Sequence, residues 1–178
     1  MTGAPKVDIT ISYDGWRDQL PEAADCAMAA AAAAWRAAGQ ELRSGAAAEI
    51  SILLTDDATV QSLNQRHRAQ DKPTNVLSFP LHQHPAAASE PWLVGDVVLA
   101  CETVSGEARA QGKPVADHFR HLVVHGILHL LGYDHVTDRD AAVMEPLEVK
   151  ALASLGVADP YRHTDPAAET PLSRHCAP

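Results

Sequence analysis

The chain is short of basic residues, of cysteine and of long apolar runs, and each shortage excludes something. Among 178 residues, 14 Lys and Arg face 23 Asp and Glu, a formal charge of −9. Nucleic-acid binding usually leans on Lys and Arg that neutralise phosphates, so gross electrostatic attraction to RNA or DNA is not what this composition offers. Three cysteines, Cys26, Cys101 and Cys176, stand far apart, in neither metal-type nor redox-type spacing. Three cannot all pair internally, and reduced thiols in the cytoplasm are the simplest expectation. The one long apolar stretch, Cys26 to Ala38, is almost all alanine and contains Arg36. Alanine is a strong helix former but a weak hydrophobe, so a packed helix is expected here rather than a membrane span. Met1 to Asp14 shows no basic region followed by an apolar run, so no secretory leader is expected, and no internal repeat is visible.

What is present suits an ordinary globular domain, with nearly half the residues apolar and about a fifth charged. Lys6 to Tyr13 alternates, with Val7, Ile9 and Ile11 on one face, and predicts a half-buried strand. Pro21 to Ala38 predicts a helix closed at Gly39, and Glu49 to Leu54 a second strand. Thr55-Asp56-Asp57 offers a cap for a helix from Ala58 to about His67. A strand over Thr74 to Leu81, a loop over His82 to Pro91 with solvated His82 and His84, and a strand over Val94 to Ala100 follow. Helices over Glu102 to Gln111, Val115 to Leu131 and Asp138 to Leu155 complete the order. This predicts an α+β fold in which a small mixed four-stranded sheet packs against helices. Residues 1–158 read as one domain, and 159–178, with several prolines and few large apolar residues, as a flexible tail.

The chemistry concentrates in residues 125–135. His125 and His129 are four apart in a helical segment, which puts both rings on one face with Cβ atoms about 5–6 Å apart. Gly132 stops the helix, and the chain can turn back so that His135 reaches the same point. Three imidazoles suit zinc and leave a fourth tetrahedral position for water, the pattern of a catalytic rather than a structural site. Scattered histidines sharing a helix by chance are the plainer alternative, yet several imidazoles among Ile127, Leu128, Leu130 and Leu131 would then lack partners in apolar surroundings. A metalloprotease helix carries Glu after its first His as general base; here that position is Gly126, which disfavours proteolysis. His121, four residues before His125, either backs a ligand or is a partly exposed helix residue. Asp134 either assists at the site or caps the turn.

At these residues the chain resembles the YbeY family, metal-dependent endoribonucleases of bacterial ribosomal RNA maturation. Residues 125–135 follow the family's His-Gly-x-Leu-His-Leu-x-Gly-Tyr-Asp-His run at every fixed position. Leu63-Asn64, Arg68, Lys72-Pro73-Thr74-Asn75-Val76-Leu77-Ser78-Phe79-Pro80 and Gly95-Asp96-Val97-Val98 match further stretches, so the likeness spans about residues 7 to 155. Two positions depart: His67 stands where an aromatic residue is common, and Asn75 where Asp is frequent. The resemblance implies one zinc ion on His125, His129 and His135, and a functional Arg68 near it. It also implies a cytoplasmic, single-strand-specific endoribonuclease working on ribosomal RNA with the small ribosomal subunit or its assembly proteins. Arg68 belongs to a short basic patch with Arg66, His67 and Lys72, opposed only by Asp71, and Arg66 and Lys72 are candidate RNA contacts. A guanidinium can grip phosphate oxygens in pairs and stabilise added charge. Two rivals stand beside this reading: a metallopeptidase, and a non-catalytic ribosome-assembly factor whose metal is structural.

Overall fold

A computed structural model describes residues 4–40, 47–81 and 91–162. The elements run β1 (Lys6–Ile11), α1 (Gly15–Gln19), α2 (Ala23–Ala37), β2 (Ala48–Thr55), α3 (Asp57–Arg68), β3 (Val76–Pro80), β4 (Trp92–Ala100), α4 (Cys101–Ala110), α5 (Val115–Leu130) and α6 (Asp138–Ala153). The strands form one mixed sheet in the order β1-β2-β4-β3. β1–β2 and β2–β4 are parallel and β3–β4 is antiparallel. This is the α+β class that the order of strands and helices predicts. His82 and His84 lie outside the described residues.

One side of the sheet carries the main core. Val7, Ile9 and Ile11 of β1 pack toward it while Lys6, Asp8 and Thr10 face out, so the period-2 pattern sets the strand's orientation. α2 lies against α5 and α6 through Ala27, Ala30, Ala31 and Ala34, all fully buried. Alanine surfaces let helices approach closely, which is how so weak a hydrophobe builds a core. Among the described residues the other side is covered at its β3–β4 end, where Val60 of α3 meets Leu77, Val98 and Ala100. β4 is therefore buried on both faces toward its C-terminal end.

The five-residue helix α1 is absent from the sequence reading. It is pinned by Trp16, whose ring packs edge-on to Phe119 at 5.2 Å and whose Nε1 donates to the Thr55 carbonyl at 3.0 Å. Near the start of β4 the register with β2 slips between Glu49 and Ile50, and Gly95 sits there at φ +147°. A Cβ on Gly95 would come within 2.4 Å of the Phe79 carbonyl oxygen, so only glycine lets β3 pass this close. Cys26 and Cys101 are buried free thiols. Among the described residues no helix is long and apolar enough to cross a membrane.

Candidate metal centre

α5 supplies the first two imidazoles and its terminus positions the third. The helix ends in a Schellman motif: Tyr133 N–H donates to the Leu128 carbonyl and Gly132 N–H to that of His129, with Gly132 at φ +91°. This reverses the chain within one turn and brings His135 back over the helix. The ring centroids of His125 and His129 are 4.5 Å apart, and His135 lies 4.9 and 5.1 Å from them. One nitrogen from each ring falls in a group whose atoms all lie within 4.8 Å of one another. The Nε2 atoms of His125 and His129 approach to 3.0 Å, so at most one can carry a proton along that line. Burial first, then the neighbouring His125 and His135, push the His129 ring down to about 4, which keeps it a neutral donor at ordinary pH. Three imidazole nitrogens converging at one point, on a surface where His135 is exposed, fit a divalent ion with an open position.

Behind His125 stands a carboxylate that no sequence motif marks. Glu148 of α6 is 1% exposed. Its Oε1 lies 2.8 Å from His125 Nδ1 and 3.3 Å from His121 Nε2, and its Oε2 accepts from the Tyr161 hydroxyl. Burial alone would raise this carboxyl, but the adjacent His121 and His125 rings and the Tyr161 hydroxyl outweigh it and hold Glu148 at about 2. No local spacing announces Glu148, because its partners are 23 and 27 residues earlier on another helix. Tyr161 is the first surprise of the stretch read as a tail: residues 159–162 fold back onto α6, and 163–178 lie outside the described residues.

The three histidines line a cleft of about 450 Å³ together with Arg68 and Asp134. β3 walls one side through Val76, Ser78 and Pro80. Arg68 is the last residue of α3, and Ala69 follows in the left-handed region at φ 55°. Buried Asn64 donates its amide to the Lys72 carbonyl at 2.8 Å, fixing the return of the chain toward β3. Arg66 and Lys72 are exposed and do not line the cleft. His121 does not line it either; its ring faces Glu148 and borders a separate cavity of about 180 Å³. Asp134 lines the cleft and also accepts the His135 backbone N–H at 2.7 Å, so it ties the turn that carries the third imidazole.

Gly126 bears on what the cleft can do. A Cβ there would meet Val97 Cγ1 at 2.8 Å and Ser78 Oγ at 3.2 Å, and Ser78 Oγ already donates to the Gly126 carbonyl. The position faces the sheet, so a glutamate there would collide with β4 rather than serve the cleft. The two departures from the family pattern also find partners. The His67 ring packs edge-on to Phe79 at 5.0 Å. Asn75 donates its amide to both Glu107 carboxylate oxygens, at 3.3 and 3.0 Å, where an aspartate would face like charge.

Fold and site together define an α+β protein with a surface cleft built around three convergent imidazoles. The family model described as endoribonuclease YbeY matches residues 8–156, and the chain belongs to that family. A protein of Paramagnetospirillum magneticum named endoribonuclease YbeY is 49% identical over 165 residues, covering 90% of this chain and 98% of that relative. One of Azorhizobium caulinodans with the same name is 50% identical over 156 residues, covering 88% and 96%. The solution structure of TM1509 from Thermotoga maritima shares the fold at a TM-score of 0.50 and 19% identity, covering 93% of this chain and 99% of that one.

Proposed function

We propose that this chain is a metal-dependent, single-strand-specific endoribonuclease that acts in the processing, maturation and quality control of ribosomal RNA in the cytoplasm. In this reading His125, His129 and His135 hold one zinc ion, Arg68 contacts the scissile phosphate, and Arg66 and Lys72 meet RNA outside the cleft. The observation that carries it is the convergence of three imidazoles with a guanidinium in one open cleft, in a chain about half identical to proteins named endoribonuclease YbeY. Three imidazoles favour zinc, although nickel and copper accept the same donors.

A bound zinc ion would supply a Lewis acid and lower the pKa of a water at its open position. The chain's own groups do the rest. Arg68 offers a planar fork of donors that matches two phosphate oxygens and stabilises charge gained on the way to the transition state. Asp134 holds the turn that presents His135. A strand must pass between β3 and the His135–Val136 turn to bring its phosphate to the histidines, a path suited to an unpaired backbone. The small ribosomal subunit or its assembly proteins would bring an acidic protein to RNA that its net charge does not attract. The collision of a residue-126 side chain with Val97 argues against the peptidase rival.

The test is cleavage of single-stranded and duplex ribosomal RNA by the purified protein and by Arg68→Ala, with metal content measured in both. The expected result is cleavage of the single strand by the wild type and a rate lower by about 10²–10³ in the metal-replete variant, the usual cost of removing one transition-state charge donor. If neither cleaves with any metal, the assembly-factor reading takes over.

A further inference from the structure

We propose that Glu148 and Tyr161 are positioning residues of the metal centre, with Glu148 fixing the orientation and tautomer of His125 and Tyr161 fixing Glu148. The inference rests on the reading of His125, His129 and His135 as metal ligands.

The geometry runs in one line. Glu148 Oε1 is 2.8 Å from His125 Nδ1, and the opposite ring nitrogen, Nε2, points toward His129 Nε2 at 3.0 Å. An ionised carboxylate only accepts hydrogen bonds, so the proton on this imidazole belongs at Nδ1 and the lone pair at Nε2. That is the form a metal requires, and a carboxylate behind a ligating imidazole makes it a better donor. Glu148 is itself held on a rigid stripe of α6, between fully buried Met144 and Leu152 one turn to either side. Among the described residues the basic side chains within 4 Å of its carboxylate are the His121 and His125 imidazoles, with no Lys or Arg. A carboxylate 1% exposed without a strong cation is expensive unless its hydrogen bonds are filled. Tyr161 fills one at Oε2, while its ring stands edge-on to His121 at 6.0 Å. The Asp159 carboxylate accepts the Tyr161 backbone N–H at 2.8 Å and shapes the turn that delivers the hydroxyl. The chain beyond the last helix thus takes part in the metal site.

The atoms of His121, His125 and Glu148 also lie within 4.8 Å of one another, so a second ion bridged by His125 is the competing arrangement. The test compares wild type, Glu148→Gln and Tyr161→Phe. Zinc content comes from elemental analysis, and zinc affinity from competition with a chelator. Long-range ¹H–¹⁵N spectra of the metal-free proteins report the His125 tautomer, and their melting reports structure alone. One equivalent in the wild type, a Nδ1–H His125, affinity weaker by about 10–100-fold in Glu148→Gln, and a smaller loss in Tyr161→Phe with unchanged melting are the expected results. If Glu148→Gln does not fold, Tyr161→Phe carries the test alone. Wild-type affinity and tautomer in the variants would overturn the proposal, as would two equivalents of zinc in the wild type. A wild type that binds no zinc would overturn the metal-centre reading itself, and RNA cleavage enters none of these measurements.

Discussion

His129 is held down to about 4 by burial first, and by the charges that His125 and His135 would carry. In the unfolded chain it titrates near its ordinary 6.5. Between those values the unfolded state binds more protons than the folded one, so stability rises with pH. The metal-free protein is therefore expected to keep this contribution in full above pH 6.5 and to lose it as pH falls through 4. Urea unfolding at a series of pH values checks this. His129→Gln should flatten the profile across that window and, in a separate measurement, lose the bound metal; an unchanged profile or a full equivalent of metal would refute the assignment. The residues in and behind the cleft differ in how far the sequence revealed them. His125, His129 and His135 were legible because their spacing on a helix and its following turn is itself the geometry of a site. Glu148 was not, because a single acid between Leu147 and Val149 looks like any helix residue until α6 is laid against α5. Gly126 was legible as a missing base, but the reason for it, the Val97 and Ser78 contacts, belongs to tertiary packing.

Some helix ends are held by side chains from other elements. Asp56 caps α3 as its sequence suggests, its Oδ1 accepting the Thr59 N–H at 2.8 Å. The next residue does something local sequence does not disclose. The Asp57 carboxylate accepts the backbone N–H and hydroxyl of Thr103 in the first turn of α4, at 3.0 and 2.9 Å. In return, the Glu102 carboxylate accepts the Asp57 backbone N–H at 2.9 Å. The two helix starts cap each other, although α4 has no side-chain cap of its own. Asp57→Ala should accordingly cost about 1 kcal/mol, within the usual 0.5–2 for a lost cap, read as a lower urea midpoint at unchanged m; no change in midpoint would show the pair to be redundant. Periodicity revealed β1, β2, β4 and the five longer helices to within a few residues. It ran β3 too long, over 74–81 rather than Val76–Pro80, because the Asn75 side chain accepts the Val76 N–H at 2.7 Å and starts the strand late. It missed α1, where five residues hold no repeat and only the burial of Trp16 accounts for the turn. α6 runs through Pro146, with packing of Met144 and Leu152 on either side overriding a residue that usually breaks a helix.

At the scale of the molecule the governing quantity is charge. A net −9 opposes any polyanion, yet Arg66, Arg68 and Lys72 cluster where α3 ends and the chain returns to the cleft. Arg68 reaches the cleft while Arg66 and Lys72 stay on the surface beside it, so the favourable field is local and small. Counterion release turns this into a number. Each phosphate neutralised on a single strand contributes about −0.7 to the slope of log K against log salt. Three cationic contacts then predict a slope of roughly −2 for single-stranded RNA, far shallower than for proteins that hold nucleic acid by charge. Fluorescence anisotropy over a series of salt concentrations, on metal-replete protein, measures it. Arg66→Ala and Lys72→Ala should each make the slope shallower by about 0.7 while leaving the metal in place. A much steeper slope would mean a larger cationic surface than these three residues provide. A slope near zero with tight binding would place RNA recognition in the cleft alone. The predicted intermediate value implies weak binding to free RNA, so if this chain acts on ribosomal RNA as proposed, a partner that supplies proximity would offset what a net charge of −9 denies.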